Sequence, residues 1–271
     1  VRLKGRLGNQ LFQYAFGESL RHRTGRRVYY AIKERRDFQL GHFRVDINPL
    51  PWRVCSLVER IARRLSISVP RHEQTDIVFE EPPPLTGALH YFDGFWQSEK
   101  YFKFLGQRLR DRLLITSVPS VYSQRLIDAV SESNAVAIHV RRGDYANSGA
   151  YKLISGRYYW RAIEIIRMMF PGPRFFIFSD DIAACRAMFD SLENATFVEG
   201  NADKSYEDFR LMMMCKHNII GNSTFSWWAA WLNQNPEKVV IAPANWFNAN
   251  HYFRFNMSDL LPADWIQLDV D

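Results

Sequence analysis

The sequence predicts an α/β fold made of two α/β halves, and two observations carry the prediction. Short apolar runs without polar alternation recur through the second half, separated by stretches with helical spacing, as parallel strands buried on both faces and their crossover helices require. The first half opens on a strand, helix and strand pattern of its own. Length and composition agree: 271 residues, 47% hydrophobic and 24% charged, form an ordinary globular mixture and exclude disorder as the dominant state.

In chain order, residues 1–4 read as a strand, 9–23 as a helix and 27–32 as a second strand. The prolines at 82–84 break the chain at a loop, 104–114 have helical spacing, and 117–123 hold a linker. This sets an N-terminal α/β domain at 1–116 and a C-terminal, Rossmann-like domain at 117–271. In the latter, 135–140, 174–179, 196–198, 218–220 and 239–242 read as strands, with helices at 158–170, 182–192, 205–215 and 224–234. Such a doubly wound sheet takes its ligands beyond the carboxyl ends of its strands.

Lys and Arg outnumber Asp and Glu by 35 to 29, an excess that suits an anionic partner. No RNP, zinc-finger or basic-zipper pattern accompanies it, so no nucleic-acid partner is expected. Cys55, Cys185 and Cys215 are an odd count at no metal-like spacing, which fits a reducing, cytoplasmic compartment. No apolar run approaches the roughly 18 to 20 residues of a membrane span, and the opening lacks the apolar core of a signal peptide. The basic stretch 60–64, interleaved with Leu57, Val58, Ile61 and Leu65, suits either a helix lying on an acidic bilayer at the inner face of a membrane or a plain amphipathic surface helix.

Four segments carry the chemistry. Gly5-Arg6-Leu7-Gly8-Asn9-Gln10 precedes a helix, where glycines let backbone N–H groups approach an anion. The segment lacks the third glycine of the dinucleotide fingerprint, and a tight turn explains it as well. Ile138 to Asp144 ends a buried strand, with His139 and Arg141 on one face and Arg142 on the other. Two guanidiniums there call for carboxylates or phosphates, and Asp144 can satisfy one of them. Asp180 and Asp181 end the next strand, where one caps a helix and the other is available to a ribose or a guanine edge. In Gly221 to Trp228, the hydroxyls of Ser223, Thr224 and Ser226 join helix-start N–H groups in a phosphate cradle, of which N-capping explains one. Trp227, Trp228 and Trp231 have the spacing of a buried helix face.

All four segments lie where a strand hands over to a helix, which points to a pyrophosphate-bearing nucleotide held between two α/β halves. A Walker lysine motif is absent. A D-x-D metal motif occurs only as Asp269-Val270-Asp271 at the end of the chain, where termini fray, so no metal is expected.

GRLGNQLFQYAFG, AIHVRRGDY, FIFSDD and GNSTFSWWAAWL, in this order, together resemble the α-1,2-fucosyltransferases of glycosyltransferase family eleven, in their bacterial form. The likeness runs from Arg2 to about Phe247 and includes FDGFWQSEKYF at 92–102. It implies a GT-B-like enzyme whose two Rossmann-like domains face across a cleft, the first domain on the acceptor side and the second binding the GDP-sugar. The reaction implied is inverting and metal-independent: L-fucose passes from GDP-β-L-fucose to the 2-hydroxyl of galactose or a similar residue in a glycan acceptor, with no cofactor beyond the donor.

Carried across, Arg141 holds the β-phosphate, Arg142 supports it or the domain geometry, and His139 lies close to the nucleotide. Asp180 or Asp181 reads guanine or ribose. Ser223, Thr224 and Ser226 cradle the pyrophosphate, with Gly8, Asn9 and Gln10 closing from the other domain. Asp144 is the first candidate for the base that takes the acceptor proton, ahead of His139 and Asp93, and it also suits a role in orienting Arg142. Loops at 87–99, 147–156 and 246–255 are candidates for holding the acceptor. Two other readings fit the same residues: a transferase using another GDP-sugar, and a catalytically degenerate carbohydrate-binding protein on the same fold.

Overall fold

Val1–Thr116 with Phe255–Pro262 form one unit of the computed structural model, and Ser117–Arg254 with Ala263–Asp271 form a second. The structure describes all residues except 34, 35, 37, 46, 48, 144, 146–148, 202, 249–255 and 271. Both units contain parallel strands and helices, the α/β class expected from the sequence.

In the first unit, β1 (Arg2–Leu3), β2 (Ala31–Ile32) and β3 (Leu50–Pro51) pair in parallel in that order. The helix α1 (Leu7–Thr24) connects β1 to β2 and is buried almost continuously from Leu7 to Leu20. It therefore runs through the core of the unit, and Phe16 stacks on Trp96 with ring centroids 4.0 Å apart. The helix α2 (Trp52–Arg64) follows β3 directly. The strands β4 (Arg71–Glu73) and β5 (Tyr91–Asp93) form a separate parallel pair, and α3 (Gly106–Arg112) comes near the end of the unit.

The chain returns to this unit at Phe255–Pro262. Asp259 accepts the N–H of Phe79 at 2.9 Å and pairs with Lys100, while the N–H of Asn256 donates to Asp76 at 3.1 Å. Residues 255–262 thus belong with the first unit although the sequence places them in a continuous second domain; the bonds to Asp76, Phe79 and Lys100 are made over separations that leave no local signature.

In the second unit, α4 (Val121–Ser131) starts inside the stretch read as linker, because Ser120 caps it by accepting the N–H of Ser123 at 3.1 Å. There follow β6 (Asn134–Val140), α5 (Gly156–Met169), β7 (Pro173–Ser179), α6 (Ile182–Met188), β8 (Ala195–Phe197), α7 (Ser205–Met214), β9 (His217–Ile219), α8 (Thr224–Leu232), β10 (Val240–Pro243) and β11 (Ile266–Leu268). The six strands are parallel in the order β11-β10-β9-β6-β7-β8. The chain builds outward from β6 to β8 and then returns to the other side of β6, so the winding direction switches between β6 and β9. Such a switch opens a crevice beyond the carboxyl ends of the two strands.

Val136, Ile138, Phe175, Ile177, Ile219 and Ile241 fill the sheet's core, which is why these strands read as unbroken apolar runs. Residues 266–270 are held in the fold rather than frayed: β11 pairs with β10, Val270 is buried, and its carbonyl accepts the Ser155 hydroxyl at 3.0 Å.

Candidate active site

The parallel register sets Val140 beside Ser179 and Ile138 beside Ile219. It therefore delivers Arg141–Gly143, Asp180–Asp181 and the Gly221–Ser226 turn to one edge of one sheet. Gly221 permits the approach of β9 to β6: a Cβ there would meet the His139 carbonyl at 3.0 Å and the Tyr159 hydroxyl at 3.1 Å. His139 is buried, and its Nδ1 lies 2.9 Å from the Ser226 hydroxyl, a bond that ties β6 to α8 across the switch. Burial, reinforced by the Arg141 charge, pushes the His139 pKa down to about 4.

Asp180 organises the loop after β6. One carboxylate oxygen accepts the N–H groups of Arg142 (2.9 Å) and Gly143 (3.1 Å), and the other pairs with Nη1 of Arg141 at 2.8 Å. Burial alone would raise its pKa, but the two N–H bonds and the Arg141 charge outweigh that and hold it below the ordinary carboxylate value. Gly143 is required here by proximity, since a Cβ would meet Asp180 Oδ2 at 2.7 Å. Asp181 caps α6 by accepting the N–H of Ala184 at 3.0 Å. The sequence assigned Asp180 or Asp181 to guanine or ribose, and in the structure both carboxylates have protein partners.

The two arginines differ. Arg141 is paired with Asp180 and lies over the Tyr145 ring at 5.4 Å. Arg142 has Nε 3.7 Å from Asp181, beyond hydrogen-bond reach. That Nε is shielded from solvent and has no hydrogen-bond partner. A buried guanidinium donor without an acceptor is unusual, and an anionic ligand is one of the few things that completes it.

Of the three hydroxyls in the turn, Ser223 caps α8 by accepting the Phe225 N–H at 3.3 Å. Ser226 is buried against His139 and the Ser223 carbonyl. Thr224, half-buried, is the most accessible of the three. Trp227, Trp228 and Trp231 are core side chains, as their spacing suggests.

Sequence reasoning did not single out Tyr145, which stacks on Tyr151 at 4.2 Å and donates its hydroxyl to the Asn222 carbonyl at 3.2 Å. Nor did it single out Asn222, which is fully buried and whose amide donates to the carbonyls of Lys152 and Trp246. A tyrosine directly after the arginine motif was the available signal. Asp144 lies outside the described residues.

In the first unit, Gln10 is buried and committed to the fold: its amide donates to the Gly5 carbonyl at 3.0 Å and its oxygen accepts the Gln39 N–H at 3.0 Å. Gln39 in turn accepts the N–H of Leu7 at 2.8 Å, so the first N–H of α1 has a protein partner. Gly8 is buried, and half-buried Asn9 accepts the Gln97 amide at 2.8 Å. Asp93 pairs with Arg2 at 2.7 Å and Lys4 at 2.6 Å. Its burial is outweighed by bonds to Lys4 and Arg2, which hold its pKa below the ordinary value. Among the described residues, no group of three or more His, Cys, Asp and Glu side chains is placed to hold a metal ion, and no helix is long and apolar enough to cross a membrane.

The model of Glycosyl transferase family 11 matches residues 84–269, a span that contains the whole edge just described. The chain belongs to glycosyl transferase family 11. It is 31% identical to an alpha-1,2-colitosyltransferase of Escherichia coli over 99% of this chain and 98% of that one. It is 24% identical to the galactoside 2-alpha-L-fucosyltransferase Sec1 of Mus musculus, over 100% of this chain and 74% of that one. Among solved structures, the family 11 chain is similar to NodZ alpha-1,6-fucosyltransferase from a crystal soaked with GDP-fucose, with a TM-score of 0.49, 16% identity, and coverage of 85% of this chain and 90% of that one. This chain is a glycosyltransferase.

Proposed function

We propose that this family 11 enzyme transfers L-fucose from GDP-β-L-fucose to the 2-hydroxyl of a galactose or similar residue in a glycan, with inversion and without a metal. The observation that carries the reading is the Arg142 Nε, buried beside the strand switch with no acceptor. A diphosphate in the crevice supplies that acceptor. Arg142 and Arg141 then offset charge on the β-phosphate as the C1–O bond to GDP breaks and the acceptor oxygen bonds C1 from the opposite face. Because this charge grows toward the transition state, fixed cations act on turnover more than on ground-state binding.

Asp180 acts in this scheme as a positioning residue that fixes Arg141 and the loop N–H groups, and His139, neutral and tied to Ser226, as another. Asp181 caps α6 beside Arg142. Thr224 and the start of α8 complete the phosphate cradle, with Ser223 and Ser226 shaping it. The acceptor proton goes to a carboxylate, and Asp144 is our assignment; the pairing of Asp93 with two cations makes it a weaker base.

A second reading concerns the donor. The relative that spans 99% of the chain is named a colitosyltransferase, which favours a test of GDP-colitose beside GDP-fucose. GDP release from each donor and from GDP-mannose, with galactose-terminated acceptors and with and without EDTA, decides. Acceptor-dependent, EDTA-insensitive release from GDP-fucose supports the reading. Release from GDP-colitose alone replaces the donor, and release from none of the three with any acceptor overturns it.

A further inference from the structure

The helix α2 has an apolar face that the fold does not use. Its inward side is Trp52, Cys55, Glu59 and Ala62, of which only Ala62 is fully buried. Glu59 pairs with Arg71 at 2.7 Å, and Trp52 meets the Tyr91 ring edge-on at 5.7 Å. At about 100° per residue, Val54, Leu57, Val58, Ile61 and Leu65 fall on another arc, turned away from that contact. All five are exposed: Leu57 at 45%, Ile61 at 47% and Leu65 at 65% of their surface.

Beside this arc runs a ridge of exposed Arg53, Arg60 and Arg64. The one acidic side chain of the helix, Glu59, is the one turned inward and paired, so the outward face carries positive charge alone. A soluble partner groove would account for the apolar stripe, but not for arginines along one border with no exposed acid among them. A bilayer with anionic headgroups fits both: apolar side chains enter the headgroup and acyl boundary while guanidiniums stay at the phosphates. The 13-residue helix is about 20 Å long, enough to lie along a surface and too short to span.

We propose that α2 is an interfacial helix that docks the enzyme on an anionic bilayer surface, with Leu57, Val58, Ile61 and Leu65 inserted and Arg53, Arg60 and Arg64 at the headgroups. The docking is independent of the transfer reaction and stands whichever sugar the donor carries.

The test is flotation of the full chain with vesicles of equimolar phosphatidylglycerol and phosphatidylcholine, and with phosphatidylcholine alone. The expected result is binding to the anionic vesicles that weakens with salt, and little to the neutral ones. Arg60→Gln with Arg64→Gln lowers partitioning by about thirtyfold, two charges' worth at the surface. Leu57→Gln with Ile61→Gln abolishes it, while both variants keep the wild-type melting temperature and the wild-type turnover on a soluble acceptor. Equal binding to both vesicle types, no binding to either, or unchanged binding of the Leu57 and Ile61 variant overturns the proposal. So does a dimer in solution that the Leu57 and Ile61 substitutions dissociate, since a second copy then covers the stripe.

Discussion

Arg141 and Arg142 are neighbours in the chain, yet Asp180 holds the first while the Nε of the second is buried without an acceptor. If Asp180 works by aiming Arg141 and the loop N–H groups, Asp180→Asn keeps the shape and loses the charge. Turnover should then fall about ten- to a hundredfold with a smaller change in KM, read from GDP-release kinetics. A KM effect alone would instead mean that Asp180 touches the donor. The state of His139 is a second consequence at this scale. With its folded pKa near 4 against an ordinary value of about 6.5, the ring is neutral in the fold where the unfolded chain takes up a proton. Its contribution is present above about pH 6.5 and lost as pH falls toward 4, by about 3 kcal/mol at most. NMR titration of the His139 ring should show no protonation above about pH 5, and a midpoint near 6.5 would contradict the buried, Ser226-bonded arrangement.

Among the elements, the junction of β6, β9 and α8 places the site, and Gly221 sets how closely they meet. Gly221→Ala puts a methyl at 3.0 Å from the His139 carbonyl, which should destabilise the enzyme by about 1 to 3 kcal/mol and depress GDP binding together with the melting temperature. Ser226→Ala removes the partner of Nδ1 and should cost about 1 to 3 kcal/mol, measured by urea unfolding. These elements were legible because β6 and β7 are apolar runs buried on both faces with the arginine and aspartate motifs at their ends, and because the serine motif between β9 and α8 has its own helix-start pattern. The first unit was harder to read. Strands as short as β1, β2 and β3, with two residues each, carry no period, and the capping of α1 by Gln39 bridges 32 positions. The role of Asp180 was hidden for a different reason: the sequence shows an acid pair before a helix, whereas only the pairing of β6 with β7 shows which of the two faces the arginine loop.

At the scale of the whole molecule, two buried groups pull its pH dependence in opposite directions. Asp208 follows Glu207 on α7 and accepts the Asn201 amide at 2.9 Å; burial pushes its pKa up to about 7, with the Glu207 charge adding and the Asn201 bond opposing. Its proton is held in the fold and lost in the unfolded chain above about pH 4. The stability it contributes is therefore complete below about pH 4 and gone as pH rises through 7. Asp208→Asn should raise the melting temperature at about pH 8 and leave it little changed near pH 4; the opposite pattern would mean that the carboxylate is ionised in the fold. The diphosphate crevice of the second unit lies where the Arg142 Nε is buried without an acceptor. Calorimetric titration with GDP and with guanosine, on the wild type and on Arg142→Ala, tests that most directly. The variant should lose about tenfold or more in GDP affinity while guanosine binding and thermal stability stay as they were. Equal GDP affinity in the two proteins would contradict it.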